Sequence, residues 1–296
     1  MTHHDISKQG AQIFKQHHRH FGCTDSTNSQ LIADIASGQQ SCDEPHLYTA
    51  STQTAGRGQH GRTWLSADGN VFLSLYTPIG TPEHTIKLKQ LSGMLALAVG
   101  FFLYRLPIIQ EINAHRSAEQ LPLIGLKWAN DVGLYEKTLN KFLKLAGILI
   151  EPVFKKTKQG STLVGAVTGV GLNVQNTPII TDGLYQAVSL KDLLPDTHNL
   201  PHAHALYPPI VHAILQAVMT CNRLDNSNHL VQFVSNFNQA HVLTNHWVHI
   251  FVHNDTKNIA TQGKCLGIDT QGGLILQTEQ GTCSIFAGMA QLQQDK

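Results

Sequence analysis

A chain of 296 residues is more than one hydrophobic core readily organises, so two units of unequal size are expected. Charged residues make up only 14% and the formal net charge is +1, which removes the field that draws proteins non-specifically to nucleic acid. Five cysteines, an odd number with no C-x-x-C pair, argue against a disulfide framework and fit reduced thiols in a cytoplasmic protein.

In chain order, Met1–His20 is polar and rich in histidine, lacks an export signal, and reads as a poorly ordered or helical lead-in (1–20). The histidines at 3, 4, 17, 18, 20, 202 and 204 lack the spacing of a closed metal site and read as solvated. Thr27-x-x-Gln30 has the form of a capping box, followed by Leu31, Ile32 and Ile35 at helical spacing and by Gly38 as a stop. Leu47–Ala50 and Val71–Tyr76 read as strands, separated by Ser51–Gly69, a polar loop long enough to expect a function of it. Leu88–Leu106 reads as one core helix rather than a membrane span, with Leu88, Leu91, Leu95, Val99, Phe102 and Leu106 on a stripe.

Strands are expected at Ile124–Trp128, Val132–Tyr135, Leu145–Val153 and Leu163–Val174, with a polar turn at Glu136, Lys137 and Asn140 inside Val132–Leu143. Helices fit Ala205–Cys221 and His229–Ala240, giving an α+β unit with a mixed sheet and helices on one face. From Trp247 the texture changes to short strand-like pieces, Trp247–Val252, Ile259–Ile268, Gly273–Thr278 and Thr282–Phe286. Turn signals fall at Asn254-Asp255 and Gln271-Gly272-Gly273, as in a small β-barrel. The division expected is 1–242 and 243–296.

Four segments carry chemistry. Gln53-Thr54-Ala55-Gly56-Arg57-Gly58-Gln59-His60-Gly61-Arg62-Thr63-Trp64 offers glycines whose backbone N–H groups can converge on an anion, and two guanidinium groups. It is neither a P-loop nor a dinucleotide fingerprint, and a mobile surface turn is an equal reading of it alone. Lys127-Trp128-Ala129-Asn130-Asp131 suits a triphosphate with its Mg²⁺, or equally an Asn-Asp turn with a solvated lysine. Lys144 opens the apolar Lys144-Leu145-Ala146-Gly147-Ile148-Leu149, either facing a pocket or standing in water at a strand end. Gly169-Val170-Gly171-Leu172-Asn173 marks tight sheet packing or a place where ligand meets backbone.

Taken in order, Asp25-Ser26-Thr27-Asn28, the Gly/Arg loop ending in Trp64, K-W-x-N-D, K-L-A-G-I-L and G-x-G-x-N resemble the biotin–protein ligases. The likeness runs from about residue 20 to 296 and includes Gly263-x-x-x-Gly267-Ile268-Asp269 and Gly272-Gly273 with Leu276 in the C-terminal part. It implies a mixed-sheet catalytic domain of the biotin/lipoate ligase type with a C-terminal SH3-like barrel. The implied activity is ATP-dependent formation of biotinyl-5′-AMP, then transfer of biotin to a lysine of a biotin carboxyl carrier domain, that of acetyl-CoA carboxylase by default. By motif, Ser26, Thr27, Asn28 and Gln53 would hold the biotin head group, while Gly56, Arg57, Gly58 and Gln59 would close over the ligand. Lys144 would meet the carboxylate and the phosphate, with Gly147 and Gly169 beside the valeryl chain. Arg62, Trp64, Lys127, Asn130, Asp131 and Asn173 fall to ATP, and Asp131 to Mg²⁺ through ATP.

Gln59, Ala129 and Gln293 stand where many members carry Arg, Pro and Arg, and the Asp131–Lys144 turn is longer than usual. Too few residues precede the first motif for a helix-turn-helix domain, so the form that does not bind DNA is expected, as monomer or homodimer. A lipoate or octanoate ligase or transferase, and a biotin-sensing regulator without catalysis, are the alternatives.

Overall fold

The structure, a computed structural model, describes residues 3–80, 85–158, 160–180, 186–195, 199–252 and 258–293. The elements are α1 (His3–Gln16), β1 (His18–Thr24), α2 (Thr27–Ser37), β2 (His46–Gln53), β3 (Val71–Pro78), α3 (Gly93–Tyr104), α4 (Pro107–Ala118), β4 (Ile124–Lys127) and β5 (Asp131–Glu136). There follow β6 (Lys141–Thr157), β7 (Gly160–Leu172), β8 (Gln186–Ala187), α5 (Leu190–Leu193), α6 (Ala203–Arg223) and α7 (Ser227–Ala240). The last five are β9 (Trp247–Phe251), β10 (Thr261–Ile268), β11 (Leu274–Thr278), β12 (Gly281–Ile285) and β13 (Met289–Leu292).

Among the described residues β1 to β8 form a mixed sheet in the order β1-β2-β3-β7-β6-β5-β4, with β8 pairing β6. The β1–β2 and β6–β8 pairs are parallel and the rest antiparallel. Period-two alternation splits its side chains between two cores. Val71, Leu73 and Leu75 of β3 face the large core built with α3, α4, α6 and α7, whereas Tyr48, Tyr76 and Val167 face Leu31 and Ile35 of α2. The expected single helical face therefore holds for the large helices, while α2 alone lies on the other face. That leaves much of this second face for a site.

Several boundaries differ from expectation for local reasons. Ser26, in extended backbone, caps α2 by accepting the Ser29 N–H, so Thr27 is the first helical residue and no Thr27/Gln30 box forms. Gly38 ends α2 at φ 82°, as the sequence implied. The expected Leu88–Leu106 helix is shorter, α3 alone, and a helix not foreseen, α4, follows. Pro107 lacks the N–H that would continue a helix but suits a first position, and α3 and α4 are bent by 64°. No single helix among the described residues is long and apolar enough to cross a membrane. The histidine-rich lead-in contributes α1 and the edge strand β1.

The C-terminal strands form a five-stranded antiparallel sheet, β12-β11-β10-β9-β13. Its last strand was not foreseen, and the expected turn at Asn254-Asp255 lies outside the described residues. The long Val132–Leu143 segment is the β5–β6 hairpin, and its Asn140 Nδ2 donates to the Gln293 carbonyl at 3.1 Å.

Candidate functional site

The second face of the sheet is emptied by glycine. On β6 and β7, Gly147, Gly169 and Gly171 alternate onto it, and a Cβ at 171 or 147 would lie 2.4 or 2.9 Å from the Trp64 ring. At 169 a Cβ would lie 2.2 Å from Asn28 Oδ1. The missing side chains make a cleft of about 610 Å³ between α2, the Gly/Arg loop and the sheet.

One end of the cleft is neutral and fully hydrogen-bonded. Gln53 Oε1 accepts from Thr27 N at 2.9 Å and Thr27 Oγ1 at 3.2 Å, and its Nε2 donates to Ser66 Oγ at 3.0 Å. Ser74, at the base, lies 2.7 Å from Thr27 Oγ1 and 2.5 Å from Asn28 Oδ1. Asn28 Nδ2 donates to Glu151 Oε2 at 2.9 Å. Thr27, Asn28 and Ser74 are buried and Gln53, Ser66 and Glu151 half-buried, a network of polar groups tolerated because its members satisfy one another.

The other end is cationic. Lys144 and Lys127 are 9% and 8% exposed, so neither is the solvated lysine that each motif alone allowed. A β-bulge between Val132 and Gly133 shifts the register on β6 and brings Lys144 Nζ to 2.7 Å from Asp131 Oδ1. Lys127 Nζ lies 3.8 Å from the other Asp131 oxygen. Burial would raise the Asp131 carboxyl, but Lys144 and Lys127 outweigh it and hold the group below the usual carboxylate range. Burial lowers Lys127 to about 8 against the pull of Asp131. Trp64 lies between the two ends with Lys144 Nζ 5.3 Å from its ring, and its buried Nε1 has no hydrogen-bond partner among the described residues.

Behind Trp64 a smaller cavity of about 230 Å³ is lined by Leu65, Lys144, Asn173, Pro178, Ile180 and Ala187. Just after Asn173 in the chain, the backbone N–H groups of Val174, Gln175 and Asn176 donate to Asn70 Oδ1 at 2.8, 3.0 and 3.1 Å. Asn173 Nδ2 donates to Val188 O at 3.1 Å, while its buried Oδ1 is unsatisfied among the described residues.

The Gly/Arg loop differs from the open anion cradle its glycines suggested. Gly58 N donates to Arg62 O at 2.7 Å and Trp64 N to Gly56 O at 2.8 Å, so the loop folds on itself as a small hairpin. Gly56 serves that hairpin, since a Cβ there would meet Trp64 O at 2.4 Å. Arg62 Nη1 reaches Met289 Sδ of β13 at 3.2 Å, and Trp128 Nε1 donates to Gly272 O at 3.0 Å, so both motifs touch the second sheet. His241 is buried and held near pKa 3 by burial and Lys127. Its Nε2 therefore accepts from Trp128 N at 3.1 Å, and Nδ1 lies 3.2 Å from Thr244 Oγ1.

Ser26, Thr27, Asn28, Gln53, Arg57, Gly58, Gln59, Arg62, Trp64, Asn130, Lys144, Gly147 and Gly169 all line the large cleft. Gly56, Lys127 and Asp131 are not on its lining, and Asn173 lines only the smaller cavity. Sequence reasoning missed Ser66, Ser74 and Glu151, and included Gly171 in a motif without giving it a role of its own. The three missed residues carry no local pattern and are defined only by the folded neighbours they touch.

The family model of the Biotin/lipoate A/B protein ligase family matches residues 21–173, a span containing every residue expected to bind ligand. Over 171 residues the chain is 37% identical to a biotin--[acetyl-CoA-carboxylase] ligase of Mycobacterium tuberculosis, covering 57% of this chain and 53% of that one. Over 254 residues it is 27% identical to the bifunctional ligase/repressor BirA of Bacillus subtilis, covering 84% of this chain and 66% of that one. The chain thus spans about half to two thirds of the length of these curated relatives. In fold it is similar to the biotin protein ligase of Aquifex aeolicus solved in complex with biotin and ATP. The TM-score is 0.61 and the identity 20%, over 95% of this chain and 100% of that one.

Proposed function

This chain belongs to the Biotin/lipoate A/B protein ligase family, and we propose that it activates biotin with ATP and transfers it to a lysine of a biotin carboxyl carrier domain. The observation that carries the reading is one glycine-floored cleft with a neutral hydrogen-bonding end, a cationic end and Lys144 on its lining.

In the first step a biotin carboxylate oxygen attacks the α-phosphorus of ATP, and the bond to the leaving pyrophosphate breaks. In the second, the acceptor lysine amine attacks the acyl carbon of biotinyl-5′-AMP and AMP leaves. Ser26, Thr27, Asn28 and Gln53 match a ureido ring, which offers two donors and one acceptor. Gly147 and Gly169 give the valeryl chain room against backbone. Lys144 stabilises carboxylate and then phosphate charge, and no protein nucleophile is required. Arg57, Gly58 and Gln59, folded by Gly56, close over the labile anhydride and keep water away.

Arg62, Trp64, Lys127, Asn130, Asp131 and Asn173 take the nucleotide. Among the described residues no group of three or more His, Cys, Asp or Glu is placed to hold a metal. Asp131, held below the usual carboxylate range by Lys144 and Lys127, is the carboxylate that would meet Mg²⁺ carried on the triphosphate, where the ion would neutralise phosphate charge. Catalysis is assigned to 1–242 and a supporting role to 243–296. The five free cysteines support a cytoplasmic setting.

Mass spectrometry of the protein after incubation with biotin, ATP and Mg²⁺ tests this. Bound biotinyl-adenylate, pyrophosphate release and a biotinylated carrier domain are expected. Equal or better turnover with lipoate or octanoate would overturn it.

A further inference from the structure

Glu151 sits outside the motif residues expected to bind ligand, yet both its oxygens are engaged with them. Arg57 Nη2 donates to Glu151 Oε1 at 2.6 Å, and Asn28 Nδ2 donates to Glu151 Oε2 at 2.9 Å. The Glu151 side chain is 18% exposed and that of Arg57 45%. Arg57 is held a second time, since its Nη1 lies 3.3 Å from Ser29 Oγ on α2.

The hydrogen bonds form a continuous path. It leads from the loop at Arg57 through Glu151 on β6 to Asn28 on α2, then by Ser74 and Thr27 to Gln53, Ser66 and the Trp64 carbonyl. Glu151 is the anionic member on which the loop and the neutral end of the cleft meet. A carboxylate this shielded is costly unless both oxygens are bonded, and a neutral amide could satisfy only one of these two donors with its oxygen.

We infer that Glu151 is a positioning residue that ties the Gly/Arg loop, through Arg57, to the Asn28 end of the cleft and so sets how long the loop stays closed over a bound ligand. This rests on the function proposed above only for the identity of the ligand. Glu151 itself has no role in the reaction: it fixes the guanidinium and the asparagine amide from behind.

The test has two arms. In the ligand-free protein, tryptic cleavage after Arg57 should accelerate about three- to tenfold in Glu151→Gln, with thermal stability checked in parallel. The second arm is stopped-flow release of biotinyl-adenylate, which should quicken about three- to tenfold in Glu151→Gln. Glu151→Asp, retaining the charge, should recover part of the effect. In an Arg57→Met background, which has no cleavage site at 57, Glu151→Gln should add nothing to the release rate, because the residue acts through Arg57. Unchanged cleavage in the first arm, or full additivity with Arg57→Met, overturns the inference. Failure of the chain to bind biotin would sink the proposed function and leave the cleavage arm to decide this one.

Discussion

The two ends of the cleft solve different problems with different materials. At the Asn28 end every polar group is already bonded to a neighbour, and the single ion pair, Arg57 with Glu151, is internally neutral. At the Lys144 end three cations, Arg62, Lys127 and Lys144, surround one carboxylate, Asp131, and buried polar atoms of Trp64 and Asn173 have no hydrogen-bond partner among the described residues. The first end can discriminate shape by exchanging one set of hydrogen bonds for another of equal number. The second is an unbalanced positive field that gains from an anion.

The largest expected effect tests the charged end. Lys144→Ala should lower adenylation by about 10²–10³, the usual loss for one electrostatic stabiliser, and should also cost about 2–4 kcal/mol of stability because buried Asp131 loses its nearest cation. Adding Asp131→Asn should restore the melting temperature but not the rate. Recovery of both would make Lys144 a structural partner only.

Next come the glycines, which separate the ends. Gly171→Ala should displace the Trp64 ring and weaken nucleotide binding about 30-fold, a loss of ~2 kcal/mol, with biotin binding nearly unchanged. Gly169→Ala, pressing on Asn28, should do the reverse. Calorimetric titration of each ligand into each variant reads the contrast, and equal losses for both ligands would dissolve it.

A smaller effect is pH-dependent. Lys127 is held at about 8 in the fold against an ordinary 10.5, so between these values the unfolded chain carries the extra proton and stability rises with pH. The ammonium proposed to attract phosphate is lost over the same range. Activity at limiting ATP should therefore fall about five- to tenfold between pH 7 and 9, with biotin affinity flat, and Lys127→Arg should abolish the fall. A flat profile for the wild type would exclude Lys127 from the nucleotide. Comparable in size is Gln59→Arg, which should slow adenylate escape about five- to tenfold by adding charged donors to the loop. Stopped-flow release at pH 8 checks it, and identical rates would make Gln59 neutral.

The charged end was legible because its residues sit in compact segments, Lys127–Asp131 and Lys144–Gly147, whose spacing survives in the fold. The neutral end was legible only in Ser26–Asn28 and Gln53. Ser66, Ser74 and Glu151 are brought to it from a loop and two strands whose local patterns say only loop or strand. Period-two and period-3.6 patterns placed most strands and the long helices. They failed at Leu106-Pro107, where a proline separates two helices that hydrophobicity alone runs together, and at β1, an edge strand whose polar residues carry no alternation. Lys144 shows a further limit, since its inward orientation depends on a bulge that no composition announces.

The second sheet shares the hydrophobic core of the first. Val248, Ile250, Leu274 and Leu276 belong to the same buried cluster as Leu126 and Trp128, and His241 accepts the Trp128 N–H at the junction. Separating the sheets would uncover this apolar surface and the Trp128 donor together, so heat should melt them in one calorimetric transition. A chain cut at residue 242 should not behave as an independent folding unit. Mutations on the far strands of the small sheet would then be felt as lost abundance of the whole chain, with the chemistry of each surviving folded molecule unaltered.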